Sequence, residues 1–325
     1  MALVDQINAV TNAVYLSKLP QLFAGRNILE SRQHKRGSKP QGGERIKQHI
    51  MYQNTKGDFY REYDKFDTSA EEQLTAAFWD WSFLNIPITL SRADQLRNAG
   101  APAVKSLMDA KMKGAVIRGS QLKAQAFFGT GIDSSKAPNS IDNMLDDAAG
   151  TLSGTSIYGT IDRAVGQPGN AFWQGVQLDG SGTAVLDYDL LSSAQALVHD
   201  GDISPTIWMM HNQAFHIYMK SQQSFQRYLK QSEMDSGFLT AEFNGRPIIA
   251  DTFVPFDDAV PATNRIYGIN EEFLDMVTHS AENMRFEPFA KPVDQAAIVA
   301  HIMWAGGNTS SDPSRHVVIH NWDAS

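Results

Sequence analysis

The chain has 325 residues, 42% of them hydrophobic and 20% charged, with a formal net charge of −8 and no cysteine. That is ordinary globular composition, with length enough for two or three domains. The missing thiols exclude disulfides, zinc–thiolate sites and cysteine nucleophiles, and the acidic balance argues against a dedicated nucleic-acid binder.

The opening residues, MALVDQINAVTNAVYLSKLP, lack the basic start and apolar run of a secretory signal, so secretion is not expected. No stretch reaches the roughly 20 apolar residues that span a bilayer. Residues 3–16 place Leu3, Ile7, Val10 and Val14 on one helical face. RQHKRGSKPQGG then reads as an extended arm. Between Arg26 and Lys47 the cations Arg26, Arg32, Lys35, Arg36, Lys39, Arg45 and Lys47 face only Glu30 and Glu44. Two readings of this basic run stay open: a solvated tail, or an arm lying on an acidic partner or nucleic acid.

Residues 44–67 are expected to form a hairpin around Lys56-Gly57. A two-residue turn would pair Tyr52 with Arg61, Ile50 with Tyr63, Gln48 with Lys65, Met51 with Glu62 and His49 with Asp64. Charged residues stand among Tyr52, Phe59, Tyr60, Tyr63 and Phe66, so the ribbon has no clean apolar face. Such a ribbon is marginal alone and needs a partner surface.

A strand is expected from Phe78 to Leu90, interrupted at Pro87. Ser91-Arg92-Ala93-Asp94 is a capping-box pattern opening a short helix to Arg97. Pro102 then starts a helix to Gly129, about 42 Å long. Its narrow apolar stripe is Leu107, Met108, Ala115, Leu122 and Ala126. A beam across a thin domain fits this pattern better than the centre of a compact one.

Residues 130–283 read as mixed helix and strand. A helix is expected over 140–149, an irregular glycine-rich stretch over 150–173, and a helix in DYDLLSSAQALVHDG. The strand PTIWMMH and a helix over 213–222 follow. Asn244-Gly245 between two alternating runs predicts a type I′ hairpin. RIYGIN is a strand, and NEEFLDMV a short helix capped by Asn270. Long strand patterns close the chain in ENMRFEPFAKP, QAAIVAHIMWAG and RHVVIHNW.

No motif carries catalysis. The glycines of GTLSGTSIYGT fit no phosphate-binding pattern. His211 and His216 are five apart, not the four of a helical zinc pair, and His316 and His320 in a strand lie about 13 Å apart. Asp179, Asp187 and Asp189 miss calcium-loop spacing. No serine sits in a G-x-S-x-G elbow. No cofactor is expected, and the protein reads as a scaffold rather than an enzyme.

The order of elements resembles the major capsid proteins of tailed phages. It is carried by ERIKQHIMYQNTKGDFYREYDKFD, FWDWSFLNIPITLS, RNAGAPAVKSLMDAKMKGAVIRGSQLKAQAFFG, FNGRPIIADTFVP with RIYGINEEFLDMV, and FEPFAKPVDQAAIVAHIMWAGGNTSSDPSRHVVIHNW. The resemblance implies an α+β chain of the Hong Kong 97-type capsid fold. Residues 1–43 would be an N-terminal arm and 44–67 an extended loop over the adjacent subunit. Residues 68–129 with 284–325 would form the peripheral domain, with a long spine helix, and 130–283 the axial domain. It implies pentamers and hexamers of one chain in an icosahedral shell around double-stranded DNA, located in the virion and assembled in the host bacterial cytoplasm.

On the same resemblance, Tyr52, Lys56, Arg61, Glu62, Tyr63, Asp64 and Lys65 become intersubunit contacts, and Arg32, Lys35, Arg36 and Lys39 arm contacts. The arm is too short to hold a built-in scaffolding domain, which implies a separate scaffolding protein beside a portal and a decoration protein. Some family members crosslink a loop lysine to an asparagine; Lys56 lies at the tip, but no partner is assigned. An encapsulin-type nanocompartment and a soluble α/β enzyme are the alternative readings.

Overall fold

The computed structural model describes residues 29, 32, 37–53, 55–66, 69, 72–93, 101–133, 135–164, 170–222, 240–292 and 296–324. The expected helix over 3–16, Lys35, Arg36 and the expected helix beyond Ala93 lie outside them. Strands β1 (Ile46–Met51), β2 (Leu74–Trp79) and β3 (Ser82–Ser91) precede the helix α1 (Ala101–Phe128). Next come α2 (Ile141–Met144), the short strands β4 (Ile157–Tyr158) and β5 (Ile161–Asp162), β6 (Val176–Asp179) and α3 (Tyr188–Val198). Then follow β7 (Ile207–Met210), α4 (Asn212–Ser221), β8 (Thr240–Phe243), β9 (Arg246–Ala250) and β10 (Arg265–Ile269). The last strands are β11 (Leu274–Thr278), β12 (Arg285–Ala290), β13 (Ala297–Ser310) and β14 (Val317–His320).

A six-stranded mixed sheet runs in the order β6-β14-β10-β7-β9-β8. Both of its faces are covered. The alternation of a strand explains how β7, buried throughout, serves two cores. Trp208 and Met210 pack with Leu191, Ala194, Phe215 and Tyr218 from α3 and α4. Ile207 and Met209 face the other way, toward Phe127, Phe128, Ile141 and Leu145. Asp187 caps α3 by accepting from the Leu190 N–H, at 2.9 Å.

The second sheet is built around β13, a strand of 14 residues. Its first part pairs with β3 on one side and β12 on the other, and its last part pairs with β11. Helix α1 lies on this sheet, burying Met108, Met112, Ala115 and Val116 against Ile86, Ile88, Ile298 and Ile302. Farther along, Phe127 and Phe128 enter the core under the six-stranded sheet. One helix thus braces two cores, as the beam reading expects. The stripe holds at Met108, Ala115 and Ala126, Leu122 is half-buried, and Met112, Val116 and Phe127 join it.

Four expectations are corrected. First, residues 44–67 do not form a hairpin around Lys56-Gly57. β1 pairs instead with β2, matching Ile46 with Trp79 and Ile50 with Thr75. Ile46, Ile50, Ala77 and Trp79 give this ladder a buried face, which residues 55–66 cannot offer. Second, the break in the strand expected over 78–90 falls at Asp80-Trp81. Pro87 stays in β3 opposite His301, tolerated because β3 pairs only with β13 among the described residues, so a missing N–H breaks no ladder on its outer side. Third, NEEFLDMV is a turn and a strand. The Asn270 side chain accepts from the Glu272 N–H at 3.1 Å, and Leu274 and Val277 are buried as part of β11. Fourth, the helix expected over 140–149 stops at Met144. The buried Asp146 carboxylate gathers the N–H groups of Asp147, Leu152 and Ser153 into a loop.

The segment 284–325 is shared between the two sheets: β12 and β13 pair near β3, whereas β14 runs between β6 and β10. The predicted type I′ turn is present, with Asn244 at φ 49° and Gly245 at φ 74°.

Candidate intersubunit surface

The base of the β1–β2 ribbon rests on an aromatic stack. Trp79 meets Tyr158 at 5.3 Å, Tyr158 meets Trp173 at 5.6 Å, and Phe172 continues the line. Gly159, at φ 59°, turns the β4–β5 hairpin so close to Trp79 that a Cβ would sit 2.7 Å from the indole. The Tyr52 ring lies 5.6 Å from Phe172, and its N–H donates to the Gln73 carbonyl at 3.1 Å. Tyr52 thus seats the ribbon on the stack, and one step farther along the Gln73 side chain donates to the Thr55 hydroxyl at 3.0 Å.

Beyond it the chain departs from the body. Residues 55–66 are exposed throughout, with Phe59 at 101%, Tyr63 at 94%, and Tyr60 and Phe66 at 67%. Single exposed apolar residues are ordinary, but four aromatics on one short segment mark a contact surface. Local bonds shape the segment. The Asp64 carboxylate accepts from the Arg61 N–H at 2.8 Å and the Asp64 N–H donates to the Arg61 carbonyl at 2.9 Å. Tyr60 and Phe66 meet edge to face at 5.1 Å, and the Lys56 ammonium donates to Ser69 at 3.1 Å. Arg61, Glu62, Tyr63, Asp64 and Lys65 are all exposed.

Arg32 and residues 38–40 are tied to the body of their own chain. One edge of the Arg32 guanidinium, Nε–H and Nη2–H, donates to the two carboxylate oxygens of Glu271, each at 2.6 Å. Glu271 is buried and also accepts from the Thr206 hydroxyl at 3.1 Å. The Ser38 N–H and hydroxyl donate to Asp275, and the carbonyls of Ser38 and Pro40 accept from Thr278 and Ser280. Residues 38–40 thus run along β11, and Lys39 between them is exposed. Glu271 and Asp275 escaped sequence reasoning. Their signal was the alternation in EEFLDMVT, which marks a strand rather than a helix.

Other buried ionisable groups serve the frame. Burial pushes the Asp142 carboxyl up to about 6, with Arg265 3.7 Å away and the Tyr267 hydroxyl donating to it at 2.6 Å. Arg163 donates to the carbonyls of Trp173, Asn143 and Met144. His316 accepts from the Asn270 N–H at 3.1 Å through Nδ1, and burial lowers it to about 4. Among the described residues no three His, Asp or Glu side chains gather as a metal site, and no helix is long and apolar enough to cross a membrane.

A groove of about 590 Å³ lies beside the ribbon base, lined by Phe78, Trp81, Phe83, Pro138 and Ile157. A second, of about 350 Å³, continues from Phe83 to Leu122, Lys123 and Trp304 on and below α1. Phe83 and Ile157 are exposed, at 77% and 52%.

No family model and no curated protein matches the sequence. Solved structures do. The capsid of cyanophage A-1(L) aligns with a TM-score of 0.63 at 12% identity, covering 95% of this chain and 94% of that one. The capsid of an empty GTA particle aligns with a TM-score of 0.59 at 10% identity, covering 90% and 96%. The holo-SrpI encapsulin of Synechococcus elongatus PCC 7942 aligns with a TM-score of 0.51 at 11% identity, covering 77% of each chain. The chain has the Hong Kong 97-type capsid fold. At such identities this fold is kept by sheet order and burial pattern. That is why the sequence resemblance rests on element order and not on a short motif.

Proposed function

We propose that this chain is the major head protein of a tailed bacteriophage. Many copies assemble as pentamers and hexamers into an icosahedral shell that encloses double-stranded DNA. In this reading residues 1–43 are the arm and 44–67 the extended loop with part of its root. Residues 68–129 with β12 and β13 of the segment 284–325 form the peripheral domain, α1 is the spine helix, and 130–283 form the axial domain, which β14 joins from the same C-terminal segment. A scaffolding protein, a portal and a decoration protein are its partners in the host cytoplasm.

The observation that carries the reading is the loop 55–66, which exposes Phe59, Tyr60, Tyr63 and Phe66 with no core beneath them, on a capsid fold. A single chain gains nothing from that exposure, whereas a second copy would bury it. We place Lys56, Arg61, Glu62, Tyr63, Asp64 and Lys65 at this contact, with the groove around Phe83 as acceptor. Tyr52 sets the loop's exit angle. Individually weak contacts suffice, because closure of a multivalent shell multiplies them.

Negative-stain microscopy and light scattering of the purified protein test this. Closed particles of megadalton mass are expected. A chain that stays monomeric at high concentration with its scaffold supplied overturns the reading. The encapsulin alignment favours a second reading, a nanocompartment with protein cargo. Nucleic acid inside purified particles supports the head; an enclosed enzyme supports the compartment.

A further inference from the structure

The sequence holds a single Asn-Gly step, Asn244-Gly245. Such a step is the usual site of spontaneous deamidation, because glycine puts no side chain in the way of its own backbone nitrogen. Here both residues are exposed and form the tip of the β8–β9 hairpin, in left-handed conformation. Gly245 has open space where a Cβ would stand.

The Asn244 carboxamide is nevertheless held at both ends. Its oxygen accepts from the Tyr188 hydroxyl at 3.0 Å and its nitrogen donates to the Gln195 side-chain oxygen at 2.8 Å. Tyr188 and Gln195 stand on one face of α3, seven residues and about two turns apart, and the Tyr188 ring packs 5.0 Å from Phe243. This clamp spans the start and middle of one helix and reaches a hairpin tip some fifty residues away.

We infer that Asn244 is the latent deamidation site of this protein and that Tyr188 and Gln195 keep it from reacting. In the reaction the Gly245 backbone nitrogen, losing its proton, bonds to the Asn244 side-chain carbonyl carbon. The carboxamide nitrogen takes up a proton and leaves as ammonia, closing a succinimide. Water then opens the ring to aspartate or, more often, isoaspartate. No oxidant, reductant or cofactor is involved. Attack requires the carboxamide to leave both partners and swing onto the Gly245 nitrogen, so each hydrogen bond opposes it.

The consequence of failure is structural. Isoaspartate adds a backbone carbon to a two-residue turn whose register fixes Phe243 opposite Arg246. Aspartate keeps the turn but loses the donor to Gln195. Either product loosens β8, which among the described residues is one of the two edge strands of the six-stranded sheet.

The test is peptide mass mapping after incubation at mildly alkaline pH, for the parent chain, Y188F, Q195A and N244G. Y188F removes one hydroxyl from a half-exposed ring, so it folds. A lost hydrogen bond worth about a factor of five predicts roughly fivefold faster conversion of Asn244 in Y188F and in Q195A. N244G should show no conversion at this peptide. Equal rates in the parent, Y188F and Q195A, or conversion located at other asparagines, would overturn the inference. The outcome is independent of whether the chain forms shells.

Discussion

Arg32 and Glu271, 239 positions apart in sequence, meet through two parallel hydrogen bonds of 2.6 Å. Planar guanidinium and carboxylate match in this geometry. The Glu271 side chain is only 4% exposed, and Arg32 covers it from a site that is 34% exposed. The pair therefore decides whether a buried carboxylate has a counter-ion.

Removing the arm's side of this pair should be costly. R32A leaves Glu271 buried with the Thr206 hydroxyl as its remaining side-chain donor. Breaking a buried pair costs several kcal/mol, but the partial exposure of Arg32 lowers the expectation to about 2 kcal/mol. Urea denaturation should show it. Limited proteolysis should also cut the arm faster in R32A; unchanged cleavage and an unchanged midpoint would show that the arm is held elsewhere.

The loop should be dispensable for folding. The bond from the Tyr52 N–H to Gln73 brings its two ends together, so a short Gly-Ser linker replacing residues 55–66 closes with little strain. Circular dichroism and the melting temperature should stay near those of the parent, while particles disappear. Global unfolding would place the loop in the subunit's own core.

Helix α1 should be intolerant. Met112 is 1% exposed between α1 and the sheet around β13. M112A should cost about 3 kcal/mol, and A115D a similar amount for burying an unpaired carboxylate. Denaturation midpoints check both. An unshifted A115D would show that α1 lifts off the sheet.

Two buried groups should pull stability in opposite directions with pH. Asp142, raised to about 6 against 3.8 for an ordinary aspartate, prefers its proton in the folded chain. Its ionised form weakens the fold above about pH 6, and that weakening is relieved as pH falls toward 3.8. Burial is the main cause, with Asp146 adding to it and Arg265 and Tyr267 opposing. His316, lowered from 6.5 to about 4, prefers the neutral form. Its contribution is complete above pH 6.5 and is lost as pH falls toward 4, with Asp312 opposing the shift. The two oppose each other in the parent as pH falls from 7 to 4. D142N removes the compensating gain, so its urea midpoint should drop more steeply on acidification than the parent's. Parallel pH profiles would remove Asp142 from this account.

What the sequence made legible was local. The helix from Pro102 to Phe128, the Asn244-Gly245 turn and the strand RIYGI each follow from spacing within a few residues. What it hid was partner choice. Nothing near Ile46 says that its neighbour is Trp79, because β1 ends at Met51 and β2 begins only at Leu74, with no two-residue turn to set the register. The alternation of Ile46, Gln48 and Ile50 was present, but joining it to Tyr60 and Tyr63 in one ribbon erased the apolar face. Glu271 hid similarly, since its carboxylate is explained only by a guanidinium supplied from the far end of the chain. Exposure of Phe59 and Phe66 was legible as a problem, a ribbon with no side to bury, before its geometry was known.

Two unbroken elements cross between the cores: α1, through Met108 and then Phe128, and β13, from Ile298 to the residues paired with β11. Tension drawn along β13 would load its ladder with β3 lengthwise. Ten facing positions, from Ala297 opposite Ser91 to Gly306 opposite Ser82, would then have to yield together instead of unzipping in turn. In the proposed shell, pressure from within would stretch the wall in its plane, and a ladder that fails only collectively would resist that stretch.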